Sequence, residues 1–163
     1  MAGVTIGGAA CASHPTVVAR PSPFPSAVAR DRAAAAAVSP AISAAVIQTA
    51  LDLRGTPYRT GGSQPGTGFD CSGLVRYVFL EHLIDVPRTV AEQARAGASI
   101  DRQKLQPGDL VFFALEGHEP THVGLVIDHE AFIHAPGTGG VVRVERFTAP
   151  YWASRFIGAR RIG

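Results

Sequence analysis

A chain of 163 residues, 46% of them hydrophobic and 17% charged, is long enough for one domain around a single core. Its net charge of +2, with only scattered pairs of Arg and no basic run, gives no footprint for a nucleic-acid groove. No stretch approaches the roughly 20 consecutive apolar residues of a membrane span, and two cysteines are too few for a disulfide framework and lack Cys-x-x-Cys metal spacing.

Residues 1–40 are dominated by Ala, Ser, Pro, Val and Gly, and Arg20-Pro21-Ser22-Pro23-Phe24-Pro25-Ser26 cannot continue a helix or a central strand. This segment is expected to be a disordered leader or tether, with the folded domain over 41–163. The small residues before Cys11 resemble the end of a lipoprotein signal, although no Lys or Arg precedes them. Cys11 is thus a candidate for lipid attachment, against the alternative of an incidental cysteine in a small-residue tail.

From Ser39 the patterning sharpens. Ser39-Pro40 reads as an N-cap followed by Pro at the first helical position, and Ile42, Val46, Ile47, Ala50 and Leu51 recur at helical spacing until Gly55 and Pro57. A Gly-rich loop over 61–68 leads to a second helix, capped by Asp70, with Cys71, Leu74, Val75, Val78 and Phe79 on one face. Thr89-Val90-Ala91-Glu92 is a capping box for a short third helix ending near Gly97. Beyond Gln106-Pro107-Gly108-Asp109, read as a turn without chemistry, the period becomes that of strands, over 110–114, 122–127, 131–134 and 141–144. Helices first and strands second predict an α+β domain with an antiparallel sheet.

Cys71 stands at the first turn of its helix. Unpaired N–H groups and the helix dipole favour negative charge there, so a lowered thiol pKa is expected, and the N–H of Cys71 is a candidate oxyanion donor. The competing reading is a buried cysteine acting as a small hydrophobe. A nucleophilic cysteine needs a base, and the base an orienting partner. Of six histidines, His14 lies in the leader, His82 is on the far end of the Cys71 helix, and His118 and His129 fall in loops. His122 opens one strand and His134 closes the next. A three-residue loop over 128–130 pairs positions summing to 258, which sets His134 opposite Gly124 and His122 on the same face. A four-residue loop separates the rings. Gly124 is expected to leave room for both imidazoles.

Four ordered motifs, Phe69-Asp70-Cys71-Ser72-Gly73-Leu74-Val75, Gln106-Pro107-Gly108-Asp109-Leu110-Val111-Phe112-Phe113, Thr121-His122-Val123-Gly124-Leu125-Val126-Ile127 and Phe132-Ile133-His134-Ala135, resemble the NlpC-type cell-wall endopeptidases. Gly55-Thr56-Pro57-Tyr58-Arg59-Thr60-Gly61-Gly62 matches the family's entry segment, and Pro150-Tyr151-Trp152 with Arg155, Arg160 and Arg161 is similar to the close of its Gram-negative lipoprotein branch. The resemblance covers about residue 45 to the end.

The resemblance implies a minimal papain-like fold, with a helix bearing the nucleophile packed on an antiparallel sheet bearing the base. It implies Cys71 as nucleophile, His122 as general base and acid, His134 as the group orienting His122, Tyr58 near the oxyanion, and Asp70 and Ser72 along the subsite next to the scissile bond. It also implies peptidoglycan peptide stems as substrate, hence a cell-envelope location, and neither metal nor other cofactor; a monomer is expected. Three alternatives stay open. One is an inactive wall-binding module on the same fold. Another is a zinc enzyme using Cys71, His122 and His134, and the third is a thiol acyltransferase.

Overall fold

The computed structural model describes Met1, Gly3 and residues 38–163; Cys11 and the rest of the expected leader up to residue 37 lie outside the described residues. Helix α1 (Pro40–Asp52) starts as the sequence predicts: the Ser39 hydroxyl accepts from the N–H of Ile42, and Pro40 occupies the first turn, where no N–H is needed. A two-stranded ribbon, β1 (Ser63–Gln64) and β2 (Gly68–Phe69), turns the chain into helix α2 (Cys71–Leu80). Asp70 caps α2 by accepting from the N–H of Gly73 at 2.7 Å. Helix α3 (Val90–Gln93) has the predicted capping box but stops short of Gly97. After Glu92 the N–H groups of Arg95 and Ala96 bond three residues back, to Glu92 and Gln93, tightening the chain out of the α-helix.

The remaining strands are β3 (Ala98–Ser99), β4 (Leu110–Phe113), β5 (His122–Val126), β6 (Ala131–His134), β7 (Arg143–Arg146) and β8 (Phe156–Arg161), with the short helix α4 (Pro150–Ala153) between β7 and β8. They form one antiparallel sheet in the order β3-β8-β4-β5-β6-β7. The α+β class and antiparallel pairing follow the sequence, with the β1–β2 ribbon ahead of α2 and the late helix α4 as exceptions to helices first. Strand β8, inside the sheet, is not predicted, because Gly158 and the paired Arg160 and Arg161 hide its alternation. Strand β7 starts at Arg143 rather than 141. Ahead of it the main chain of Val142 is bonded to Gly55 and Thr56 instead of to β6.

Alternation along the strands divides the core. Val123, Leu125 and Ile133 face α1 and α2 and pack with Val46, Ala50, Leu74, Val75, Val78 and Phe79. Val111, Phe113, Val126 and Phe132 face the other way, onto Phe147 and Trp152. Each fully buried side chain of this kind contributes roughly 1.5–3 kcal/mol. The helix carrying Cys71 is thereby fastened to β5.

The β5–β6 register is Leu125 opposite Ile133 and Val126 opposite Phe132, the sum of 258 that the three-residue loop predicts. Asp128 fixes that loop by accepting from the N–H groups of Glu130 and Ala131 at 2.7 and 2.8 Å. The reason for Gly124 is corrected: the Phe132 ring, not an imidazole, occupies the space a side chain would need. Phe132 is fully buried and has nowhere to retreat. Gly124→Ala is therefore expected to cost about 1–3 kcal/mol, read as a lower urea midpoint at unchanged m-value.

Candidate active site

The loop ahead of α2 closes tightly on the helix start. A side chain at Gly73 would run into the carbonyl of Gly62, so glycine there lets the Gly-rich loop approach. Cys71 ends up at the margin of the core, 8% exposed, where most of its core neighbours are at 2% or less. Main-chain hydrogen bonding from Val123, Ser72 and Cys71 itself favours the thiolate, as the helix-start argument expects. Burial outweighs it and pushes the Cys71 thiol up, with the charge of Asp70 adding to the rise. The expected lowered pKa is thus corrected: desolvation by the helix–sheet core exceeds the pull of the N–H groups.

Val123 follows His122 in the chain, so the sulfur meets the main chain of β5 one residue after His122. His122 and His134, the pair expected from the hairpin parity, are joined Nε2 to Nδ1 at 2.7 Å with their rings perpendicular. That bond leaves Nδ1 as the His122 ring nitrogen not engaged by His134. For Nδ1 to accept, Nε2 must carry the hydrogen and donate to His134, whose own hydrogen then sits on Nε2. His134 Nε2 is buried without a partner among the described residues, with the Phe132 and Trp152 rings beside the imidazole. His122 has no side-chain hydrogen bond to Cys71, and with the thiol pushed up and the imidazole pushed down both are neutral at rest.

Trp152, from α4, stacks on His122 at 5.5 Å between centroids and meets His134 edge-on at 4.8 Å. This shell keeps water from the His–His bond, and burial pushes His122 down to about 4 and His134 down further. A histidine with a depressed native pKa binds its proton more readily once unfolded. Stability is therefore full above the ordinary value near 6.5 and falls as the pH drops from there towards about 4. His122 alone accounts for roughly 3 kcal/mol of that fall. Urea midpoints taken between pH 7 and 4.5 are expected to decline, and to decline less in His122→Gln.

Tyr58 is half-buried against the main core, its main chain bridged to Phe69 and bonded to Gly140. Asp70 and Ser72 flank Cys71, but their side chains are engaged by Arg88, which donates to both Asp70 oxygens, at 2.9 and 2.6 Å, and to the Ser72 hydroxyl at 3.0 Å. Gln93, fully buried, donates to the carbonyls of Ser72 and Pro87. Sequence reasoning misses Arg88, Gln93 and a site role for Trp152. The one available signal is a cation just ahead of the Thr89 N-cap, where a helix dipole disfavours it. Of the other histidines, His82 bonds Thr49 at 2.9 Å, joining α1 to the turn just past α2, at the end away from Cys71. Among the described residues no three His, Cys, Asp or Glu side chains are grouped to hold a metal ion.

Comparison with known proteins places this geometry. The family model described as NlpC/P60 family matches residues 55–161. Murein DD-endopeptidase MepH of Escherichia coli is 44% identical over 112 residues, 66% of this chain and 41% of the relative. Gamma-DL-glutamyl hydrolase of Bacillus subtilis is 38% identical over 120 residues, 72% of this chain and 29% of the relative. The chain thus spans less than half the length of either. The crystal structure of an NlpC/P60 family protein from Bacillus cereus superposes with a TM-score of 0.70 at 33% identity, covering 74% of this chain and 40% of that one. The architecture is the minimal papain-like α+β fold of such domains. The four motifs, the fold and these matches together show that the chain belongs to the NlpC/P60 family.

Proposed function

We propose that this chain is a cysteine peptidase that hydrolyses amide bonds in the peptide stems or cross-links of peptidoglycan. The observation that carries the reading is the Cys71 sulfur at the tip of α2, held against the main chain of Val123, with the bonded His122–His134 pair starting one residue earlier. The names of relatives, a murein DD-endopeptidase and a gamma-DL-glutamyl hydrolase among them, support the substrate class.

The chemistry follows from the protonation states. With thiol and imidazole both neutral at rest, Nδ1 of His122 takes the sulfur's proton as the sulfur attacks the amide carbon. The carbon–nitrogen bond then breaks, and His122 returns that proton to the leaving amine. Water attacks the thioester, giving a proton to His122, and the thiol leaves with it. His134 holds the His122 ring in the tautomer this needs. The Cys71 N–H and the Tyr58 hydroxyl are the proposed donors to the oxyanion, and Asp70 and Ser72 shape the adjoining subsite. Hydrogen bonds of a catalytic pair tighten when substrate binds.

A wall substrate implies a cell-envelope location. Attachment through a lipid on Cys11 is a separate proposal, tested by labelling with an alkynyl fatty acid in wild-type and Cys11→Ser chains. The hydrolase reading is tested by mass spectrometry of muropeptides after incubation with the protein. Shortened stems or resolved cross-link dimers are expected, and the product masses name the bond. Unchanged muropeptides from a protein that nevertheless co-sediments with intact sacculi would instead make it an inert wall-binding module.

A further inference from the structure

The helix that carries Cys71 is capped by an anion. Asp70 precedes the cysteine, and its carboxylate is fixed in place by the N–H groups of Gly73 at 2.7 Å and Gly61 at 3.0 Å. Such a cap stabilises the helix start, typically by about 1 kcal/mol. The same negative charge opposes a second one on the neighbouring sulfur. A carboxylate beside a nucleophilic thiol therefore sets the helix against the reaction unless a cation stands with it.

Arg88 supplies that cation. Its guanidinium meets Asp70 through both oxygens, at 2.9 and 2.6 Å, and reaches the Ser72 hydroxyl at 3.0 Å and the Gly62 carbonyl at 3.4 Å. It therefore touches the residues on both sides of Cys71 and the loop packed on them. The Asp70 carboxylate is 15% exposed and the Arg88 side chain 35%. This is a two-pronged contact sheltered from water, of the kind arginine makes and lysine does not. Asp70 raises the Cys71 thiol while Arg88 is drawn to the charge of Cys71, so both act electrically on one sulfur. Gln93, from the same 87–93 segment, holds the segment down by its bonds to Ser72 and Pro87.

We propose that Arg88 is a positioning residue of the nucleophile, neutralising the Asp70 carboxylate so that a thiolate can form on an anion-capped helix. The proposal rests on the reading of Cys71 as nucleophile. It has a second consequence: with four N–H donors and the Ser72 hydroxyl already on it, Asp70 has little left to bind a substrate ammonium.

The test is the rate of Cys71 alkylation by iodoacetamide against pH in the full chain carrying Cys11→Ser, with thermal melts run alongside. Arg88→Met is expected to raise the alkylation midpoint by about one pH unit, slowing reaction at pH 7 by roughly tenfold. Adding Asp70→Asn, which keeps a capping oxygen but removes the charge, is expected to bring the midpoint back to the starting value or below. Asp70→Asn alone lowers it, which keeps the test open if Arg88→Met fails to fold. A clamp that was structural only would leave the Arg88→Met midpoint unmoved, or make the double variant no better than the single one; either result overturns the proposal. Should the midpoints move as stated while Cys71→Ala still hydrolyses muropeptides, the nucleophile reading fails and the electrostatic coupling stands.

Discussion

Cys71→Ala is expected to reduce muropeptide hydrolysis by at least about 10⁴-fold, the scale of loss when the nucleophile of a covalent mechanism is removed. The cause is specific. In the proposed mechanism sulfur is the atom that attacks the amide, and the alanine methyl cannot replace it. His122→Ala is expected to cost a comparable factor. The buried thiol, pushed up by desolvation, gives little thiolate at neutral pH without a base beside it. Because the two act as one unit, the double variant should be hardly worse than either single one. Both are checked by initial rates on a purified muropeptide. Circular dichroism would show that the fold survives, since removing the sulfur from a site at the core margin leaves only a small void.

The largest effect on stability is expected far from the chemistry. Asp109 is completely buried at the start of β4. Its carboxylate accepts from Arg161 Nε and Nη2 at 2.7 and 2.8 Å and from the Gln106 N–H at 2.8 Å. Arg161 is the last residue of β8, so this pair ties that inner strand to the turn ahead of β4. Arg161→Met strands a carboxylate in the core with one donor and should cost about 3–5 kcal/mol, or roughly 10 °C in Tm. Asp109→Ala should cost less, because the Arg161 side chain is one-third exposed and can turn to water. Replacing both at once, Arg161→Met with Asp109→Leu, should recover part of the loss, since the buried charge is then gone. Calorimetry on the three variants orders them.

How far the sequence reaches depends on the range of the cause. Asp70 as cap, Ser39-Pro40 as helix start and the Thr89–Glu92 box are local devices, and the structure has each of them. The His122–His134 contact is also local: a period of two and a three-residue loop suffice to put the rings on one face. What failed was non-local. The sign of the Cys71 shift depends on burial under a sheet whose inner strand β8 was itself concealed by Arg160 and Arg161. Each of those arginines has a tertiary reason, Arg161 on Asp109 and Arg160 on the carbonyl of Ala94. Pairing predicts which residue stands opposite Gly124, but the rotamer of Phe132 decides what fills the gap. Arg88 lies 18 residues from Asp70 in sequence, beyond the reach of any local pattern.

In the proposed mechanism the acyl half of the substrate is carried on one sulfur. Rapid acid quenching of the Cys11→Ser protein with excess muropeptide, followed by tryptic digestion and mass spectrometry, tests it most directly. The peptide spanning residues 60–76 is expected to gain the mass of the acyl fragment as a thioester at Cys71, removable by hydroxylamine. Turnover under these conditions with that peptide unmodified, or with the added mass on another residue, would contradict it.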